Sequence, residues 1–258
     1  MLTWHWRVVT KAVMARARKK HVQVELEFKT WGGKRKGAGR PPKTYRSSER
    51  HIPRERFDRL TPVHVTLRLV HGFGTLRKRD TYKALRKATM AVLGRSDFRI
   101  VHLSPETDHI HLIVEAETDG ALSRGVQAFE ISASQHLNRA ISKRRGSKRR
   151  GKVFADRYHS RLLKSPTQAH HTLAYVLNNW RRHDQDEDWG ETRLWDVDYM
   201  SSAVSFTGWK ELTTQPLIYD IDPVHRLCVS RPQSWLLHTG WQKAGSISMY
   251  ETPGLNRR

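Results

Sequence analysis

The order of hydrophobic periodicities between residues 61 and 183 is the strongest constraint on the fold. The segment PVHVTLRLV alternates polar and apolar residues with a period of two, which predicts a half-buried strand. RDTYKALRKATMAVLG then spaces its apolar residues by three and four, which predicts a helix with Asp80 or Thr81 as N-cap and Gly94 as its stop. Two further strand-like runs, DFRIVHLS and HIHLIVEAE, are joined by a loop short enough for an antiparallel hairpin.

The same region continues with a second helix, a fourth strand and a third helix. GALSRGVQAFEISASQHLNRAISKRR has near-helical spacing, and VFADRYHSRLLK is a strand candidate. SPTQAHHTLAYVLNNWRRH opens with Ser165 as N-cap and Pro166 at the first helical position. The order β-α-β-β-α-β predicts an α+β protein with a ferredoxin-like split sheet, followed by an extra C-terminal helix that carries Tyr175.

Positive charge is concentrated in the first two thirds of the chain. The formal net charge of the 258 residues is +22, far more than solubility requires. Residues 184–258 hold 7 Lys and Arg against 11 Asp and Glu, so residues 1–183 hold 40 against 14 and carry a net charge of +26. Such a charge most readily attracts a polyanion, which indicates nucleic acid as the partner.

The N-terminal part predicts a flexible basic arm. Residues 32–59 are rich in Gly, Pro, Ser and Arg and almost lack apolar periodicity. Their centre, KRKGAGRPPK, resembles an AT-hook for the minor groove, although Ala38 stands where the hook usually has Arg; a solvated basic linker is the alternative. The candidate DNA contacts in this arm are Lys34, Arg35, Lys36, Arg40 and Lys43. We predict three parts: the arm (1–60), a central domain (61–183) and a Trp-rich acidic extension (184–258).

Composition argues against two classes of protein. The single cysteine, Cys228, excludes an intramolecular disulfide framework and a thiolate-rich zinc site. No stretch approaches the roughly 18 uncharged apolar residues of a membrane span, and no basic amphipathic helix with a Trp and Leu face is evident. We therefore expect a cytoplasmic protein without a membrane partner.

The pattern His109-Ile110-His111 opens the third strand candidate. Residues two apart on a strand point to one face and lie about 6.6 Å apart along it, so both imidazoles could bind one cation. Tyr175 and Asn179 are four residues apart and share one face of the last helix, so a hydroxyl and an amide could meet the same cation. The plainer alternative is a set of ordinary polar residues on an exposed strand face and an amphipathic helix.

Taken in order, these motifs resemble the single-tyrosine HUH transposases, in which HUH denotes His-hydrophobic-His. The likeness rests on PVHVTLR, DHIHLIVEA, VFADRYHSRLLKSP and YVLNN, and spans residues 61–183. It is strongest to the REP-associated tyrosine transposases, because Asn179 stands where the insertion-sequence type commonly has Gln. WGGKRKGAGRPPK, SWLLHTGW and ETPG also resemble a bacterial subgroup of these proteins.

The resemblance implies a specific chemistry. Tyr175 would attack a phosphodiester of single-stranded DNA, leaving a 5′-phosphotyrosine link and a free 3′-hydroxyl, and His109, His111 and Asn179 would bind Mg²⁺ or Mn²⁺. A tyrosine whose pKa is near 10 is a poor nucleophile at neutral pH, so a cation is needed to polarise the phosphate. The implied partner is single-stranded or hairpin DNA. The protein would be bacterial and nucleoid-associated, acting as a monomer or a homodimer.

Further candidate DNA contacts lie between the second helix and the fourth strand. KRRGSKRRGK, residues 143–152, has seven basic residues in ten, which is typical of a solvated surface or of a phosphate-binding loop. Tyr158 is expected to be structural or to contact DNA, and not to act as the nucleophile. The candidate contacts are Lys143, Arg144, Arg145, Lys148, Arg149, Arg150, Lys152, Arg157 and Arg161.

Two other functions are weighed against the enzyme. A non-catalytic, domesticated DNA-binding protein would not need the two histidines, the tyrosine and the asparagine, and all four are present. An RNA-binding ferredoxin-like module would stack bases on paired aromatic residues of its central strands, where only Phe98 is found. No general base is evident within the motif. His64, on the opening strand, could be a neighbour of the site, and the plainer interpretation is an ordinary strand residue.

Overall fold

The computed structural model describes residues 53–182, 197–217 and 221–254. The chain divides into two compact units, residues 1–46 and residues 47–258, and everything described lies in the second. The AT-hook-like segment and its candidate contacts Lys34, Arg35, Lys36, Arg40 and Lys43 lie outside the described residues. The three-part division at residues 60/61 and 183/184 stays a prediction.

Four strands and three long helices follow one another in the predicted order. They are β1 (Thr61–Arg68), α1 (Arg79–Met90), β2 (Phe98–Pro105), β3 (His109–Ala116), α2 (Asp119–Arg145), β4 (His159–Leu162) and α3 (Pro166–Arg182). The α+β class is therefore confirmed, and Tyr175 lies on α3, the helix added to the β-α-β-β-α-β core.

The four strands form one antiparallel sheet in the order β2-β3-β1-β4. This is the arrangement of a split β-α-β-β-α-β sheet, with β1 and β3 at the centre. The register pairs Thr66 with His111 across β1 and β3, and His64 with Arg161 across β1 and β4. A shift in register between Ile100 and His102 adds one residue to β2, after which Ser104 is paired with His111.

One face of the sheet is covered by α1 and α2. Alternate strand residues, such as Val65 and Leu112, enter a core that also contains Phe98 and Phe129, all with exposures at or near zero. Gly125 allows α2 to approach β2, because a Cβ there would lie 2.1 Å from the ring of Phe98. This helical face holds the larger of the two apolar cores, which provides most of the hydrophobic stabilisation.

The opposite face is covered by α3 and by the described part of the C-terminal segment. That segment consists of short 3-10 turns and a one-turn helix, α4 (Trp235–His238). Its Trp209 and Trp241 pack with Leu177 and Ile113 in a second core. The described part of the acidic extension is thus an integral layer of the fold and more than a small appendage.

Three buried polar contacts fasten the C-terminal segment to the sheet. Arg77 makes a two-pronged ion pair with Asp198, with both N···O distances at 2.9 Å. Within β2, Nδ1 of His102 lies 3.1 Å from the Ser202 hydroxyl. The carboxylate of Glu115 on β3 accepts the backbone N–H groups of residues 233 and 234, each at 2.8 Å.

Two local expectations need correction. Helix α1 begins at Arg79 with Lys78 as N-cap, because the Thr81 hydroxyl sits inside the first turn and accepts the Lys78 N–H at 3.2 Å; the helix ends at Met90, before Gly94. The predicted fourth strand is longer than the observed β4. Val153 and Phe154, which precede β4 in the chain, are buried in the core, and Phe154 is paired with Leu69 only through an isolated bridge.

Ser165 caps α3 as predicted, accepting the N–H of Gln168 at 3.2 Å. None of the helices within the described residues combines the length and the apolar character needed to span a membrane.

Candidate active site

An imidazole pair stands at the beginning of β3 on the face covered by α3. Because His109 and His111 are two apart on the strand, both rings point to this face, and their Nε2 atoms lie 3.0 Å apart. His111 is almost fully buried, whereas 19% of the His109 side chain is exposed. The pair therefore presents two nitrogen atoms to one point, with an opening on the His109 side.

Each imidazole is held from behind by a second polar group. Nδ1 of His109 lies 2.8 Å from Oδ1 of Asp108, and Nδ1 of His111 lies 3.0 Å from Nε2 of His64 and 3.3 Å from the Thr66 hydroxyl. A group bound to Nδ1 fixes the ring orientation and the tautomer of a histidine. The contacts at Nδ1 therefore orient each ring and leave Nε2 of both histidines directed into the site.

His64, for which the sequence favours an ordinary strand role, lies at the site against His111. It lies on the neighbouring strand β1, and its ring stacks on His111 with the centroids 5.1 Å apart. Burial lowers the pKa of His64 to about 4, with the positive fields of His159 and Arg161 acting in the same direction, so the ring is neutral at physiological pH. The sequence feature that indicated this position is the period of two in β1, which places His64 on the face of the strand opposite to Val63 and Val65.

Tyr175 reaches the same point from α3. Its ring centroid lies 5.2 Å from that of His111 and 6.2 Å from that of His64, both in edge-on arrangements. Burial raises the pKa of the Tyr175 hydroxyl, the Arg182 guanidinium opposes the rise, and the Glu106 carboxylate adds to it. The tyrosine is therefore protonated at neutral pH and lies beside the imidazole pair.

Asn179 lies one turn beyond Tyr175 on α3 and is fully buried. Neither atom of its side-chain amide has a hydrogen-bond partner among the described residues, so it makes no hydrogen bond to either imidazole. A buried amide without partners is costly unless another group satisfies it. The adjacent Asn178 is engaged elsewhere, because its amide nitrogen donates to the Ser248 carbonyl at 2.9 Å.

The donor set at this point, two imidazoles and one amide, fits a divalent cation that accepts both nitrogen and oxygen ligands. In the described ranges, no group of three or more His, Cys, Asp or Glu side chains is arranged to hold a metal ion. A third protein ligand beside the two histidines would therefore be a side chain other than His, Cys, Asp or Glu. Asn179 is a candidate, because its amide has no hydrogen-bond partner among the described residues and it lies on α3, the helix that carries Tyr175. Two imidazoles and one amide oxygen leave positions open for phosphate oxygens.

The edge strand β4 supplies positive charge beside the imidazoles. Arg161 is paired with His64 and His159 with Thr66, so both exposed side chains share the face of the site. Tyr158, by contrast, is buried in the helical core, where its hydroxyl lies 3.1 Å from that of Ser123 and its ring is covered by Arg54. This is the structural role expected for it.

The remaining basic candidates lie at the end of α2 and in the segment that leads from α2 to β4. Lys143, Arg144 and Arg145 form the last turn of α2, and Arg144 is paired with Asp80. Lys148, Arg150, Lys152 and Arg157 are exposed in the segment between α2 and β4. Arg149 is engaged within this segment by Asn138 and by the Lys152 carbonyl, with its guanidinium 4.6 Å from the ring of Phe73.

Comparison with known proteins identifies the domain that carries this site. Residues 62–179 match the family model described as Transposase IS200 like. A solved structure titled "Structure of the REP associates tyrosine transposase bound to a REP hairpin" is 16% identical, covers 72% of this chain and 100% of its own, and has a TM-score of 0.44. Comparison with curated proteins found no significant match. The match begins in β1 and ends at Asn179, so the segment that contains both histidines and the tyrosine is similar to the IS200-like transposases.

Proposed function

We propose that this chain is a metal-dependent tyrosine transposase that nicks and rejoins single-stranded DNA beside hairpins. The observation that carries the proposal is the convergence of Tyr175 and the imidazole pair, with 5.2 Å between the centroids of Tyr175 and His111. A nucleophile and a potential cation site from two different elements meet at one point of the sheet surface. This arrangement is what attack on a phosphodiester requires.

The reaction exchanges one phosphodiester for another. The Tyr175 oxygen forms a bond to phosphorus as the bond from phosphorus to the 3′-oxygen breaks. The hydroxyl proton passes to solvent, and the departing 3′-oxygen takes a proton from solvent. The products are a 5′-phosphotyrosine link and a free 3′-hydroxyl, which attacks the link in the reverse direction to rejoin DNA. Because a phosphodiester is retained throughout, rejoining needs no nucleotide cofactor.

A divalent cation, Mg²⁺ or Mn²⁺, would be held by Nε2 of His109, Nε2 of His111 and the amide oxygen of Asn179, where it would supply positive charge to the phosphate. The partners behind the imidazoles support this assignment. Asp108 favours a proton on Nδ1 of His109, which leaves the lone pair on Nε2 directed into the site.

His64 governs the protonation of His111. Without a cation, Nε2–H of His111 donates to Nε2 of His109, while Nδ1 of His111 accepts from His64. If Nε2 of His111 held a cation, the ring proton would reside on Nδ1 and would be accepted by Nε2 of the neutral His64. His64 is accordingly a positioning residue, since it accommodates either tautomer of His111 through one contact.

The charges around the site suit the DNA strand. Arg161 and His159 on the exposed edge of β4 lie beside the imidazoles, where they would contact phosphates on either side of the scissile bond. Arg182, 6.0 Å from the Tyr175 ring centroid, would stabilise negative charge on the tyrosine oxygen. These positions support the proposal that single-stranded DNA binds on the α3 face of the sheet. A homodimer stays a prediction.

The first experiment is trapping of the covalent intermediate. Hairpin oligonucleotides from the DNA that flanks the gene, labelled at the 5′ or the 3′ end, are incubated with the full chain and Mn²⁺ and run on a denaturing protein gel. We expect an adduct that carries the 3′ label only, because the 5′-phosphate remains on the tyrosine. Tyr175→Phe should abolish it, whereas the exposed Tyr250→Phe should not.

The outcomes separate the two functions weighed for this chain. An adduct that survives Tyr175→Phe assigns the nucleophile to another residue. If the wild type binds these hairpins but forms no adduct with either divalent cation, the protein is a DNA-binding relative without nuclease activity, and the transposase mechanism is wrong for it.

A further inference from the structure

A strongly basic groove runs between α1 and α2, on the outer surface of the helical face. It is lined by ten residues, of which six are Lys or Arg and one is acidic. The cations are Arg79, Lys83, Lys87, Arg139, Lys143 and Arg144. The single acidic residue, Asp80, is already occupied by both contacts from Arg144, at 2.9 and 3.0 Å. The groove therefore carries a large positive charge that no other lining residue offsets.

The sequence builds this groove from two helical stripes. Arg79, Lys83 and Lys87 are four residues apart on α1, which places them along one line at intervals of about 6 Å. Arg139 and Lys143 repeat the same spacing on α2. Between the stripes, the small side chains of residues 84 and 140 leave a floor that admits a ligand between the two rows of charge.

The positive field is also felt by the one histidine in the groove. The pKa of His136 is lowered, by burial first and then by the charges of Lys87 and Arg139. Arg144 is held by Asp80, whereas the other five cations are exposed and form no ion pair within residues 53–182, 197–217 and 221–254. None of the six contributes to the apolar core. Five neighbouring cations without acidic partners among the described residues do not contribute to folding stability, because like charges repel.

We propose that this groove binds the sugar-phosphate backbone of a double-stranded DNA stem, as a site separate from the one that cleaves DNA. The inference rests on the proposed function, since it assigns the two parts of one hairpin substrate to the two faces of the sheet. The stem lies against α1 and α2, and the single strand to be cut lies against α3, where Tyr175 is found.

The chemistry of the lining favours duplex over single strand. Proteins that hold single-stranded DNA combine positive charge with aromatic rings on which the bases stack. Of the described residues that line the groove, none is Phe, Tyr or Trp. Two rows of Lys and Arg without stacking rings match the regular phosphates of a duplex, which are contacted without reading the base sequence.

The connection between α2 and β4 links the two faces. Lys143 and Arg144 end α2 in the groove, and the chain then passes through the exposed Lys148, Arg150 and Lys152 before β4. On β4, Arg161 stands beside His64 at the active site. DNA that leaves the groove would follow this basic segment around the edge of the sheet, so that the junction of stem and single strand lies near β4.

The test is the salt dependence of hairpin binding by the full chain. A fluorescent hairpin with a single-stranded extension is titrated with the wild type and with the double variant Lys83→Gln and Lys87→Gln at several salt concentrations. Two lost phosphate contacts should reduce the slope of log K against log salt by about 1.8 and weaken binding about tenfold or more. The control is Lys210→Gln with Lys243→Gln, two cations of the C-terminal segment.

A second probe isolates the duplex from the single strand. An unstructured oligonucleotide with the same nicking site should bind the wild type and the double variant equally and form the tyrosine adduct at the same rate. Equal loss of affinity for both probes would show general attraction of anions and overturn the proposal, as would an unchanged salt slope for the hairpin. If an RNA hairpin bound more tightly than the DNA hairpin and the double variant lost that binding, the ligand of the groove would be RNA and the proposal would be wrong.

These measurements also distinguish failure of the groove from failure of the proposed function. If the variant keeps the wild-type hairpin affinity while the adduct still forms, the groove assignment is wrong and the nuclease stands. If the variant loses hairpin affinity but the wild type never forms an adduct, the groove is a DNA site on a protein that does not cleave.

Discussion

On the face covered by α1 and α2, the central strands contribute Val65 and Leu112 to a dry core, and charge lies only on the outer surface of the helices. On the face covered by α3, the same strands contribute His64 and His111. Beside them, Glu106 and Asn179 are buried with polar atoms that have no hydrogen-bond partner in the part of the chain that the structure describes. Alternate residues of the same two strands therefore serve opposite purposes.

The difference shows how the stability of one face supports the chemistry of the other. Buried polar groups cost free energy unless they are paired, and several groups at the active site are paired incompletely. The helical core compensates for this cost by burying large apolar side chains. On the α3 face, the C-terminal segment adds a second core and three polar fastenings, which hold α3 against the sheet.

The largest expected loss of stability comes from breaking the buried ion pair between Arg77 and Asp198, which joins the C-terminal segment to the rest of the domain. Both side chains are buried, so Arg77→Ala leaves an unpaired carboxylate and should destabilise the fold by about 3–5 kcal/mol. The exposed pair of Lys164 and Glu55 provides the control, and Lys164→Ala should cost less than about 1 kcal/mol. Urea denaturation measures both. Similar losses would mean that the C-terminal segment is not fastened through Arg77.

The packing of the helical face is tested at Gly125. A Cβ at this position would lie 2.1–2.5 Å from the buried ring of Phe98, so Gly125→Ala should destabilise the fold by about 1–3 kcal/mol. Gly120, on the same helix, has Arg124 as its nearest neighbour at 3.3 Å, and Gly120→Ala should be nearly neutral. Thermal denaturation distinguishes the two. A tolerated Gly125→Ala would show that this core adjusts more freely than its packing indicates.

The α3 face is tested through His64. His64→Leu removes the acceptor behind His111 and should weaken Mn²⁺ binding by about 10- to 100-fold. His64→Gln, which keeps an acceptor, should lose less, and the exposed His238→Leu should lose nothing. Electron paramagnetic resonance of free Mn²⁺ gives the affinities, and nitrogen NMR of His111 reports its tautomer. If the leucine variant retains both the affinity and the tautomer, His64 has no positioning role.

The smallest expected effect is a pH dependence at His102. Burial lowers its pKa to about 4, whereas the unfolded chain titrates near 6.5, so the unfolded state binds more protons between these values. Stability should therefore be complete above about pH 6.5 and fall as the pH drops toward 4. Between about pH 7 and pH 5, the wild type should lose about 1 to 2 kcal/mol more than His102→Gln. Parallel curves would show that His102 is solvated or protonated in the folded state.

The sequence by itself determined the order of strands and helices and the four candidate site residues, which are His109, His111, Tyr175 and Asn179. The change between periods of two and of three to four is set by local geometry, so β1 to α3 were predictable in order. The pattern of two histidines on one strand face, and of Tyr175 and Asn179 on one helix face, follows from the same geometry. Positive charge that predicts a nucleic-acid partner is likewise a property of composition.

Only the tertiary structure decided which of these residues meet. The period of two places His64 on the polar face of β1, but His64 enters the site because β1 lies beside β3, a pairing of residues 47 positions apart that no local pattern specifies. The groove depends in the same way on α1 and α2 lying side by side, which aligns cations that are scattered in the sequence. The ion pair between Asp198 and Arg77, 121 residues earlier, could not be predicted either. A single charged residue in an irregular segment has no periodicity that indicates its partner.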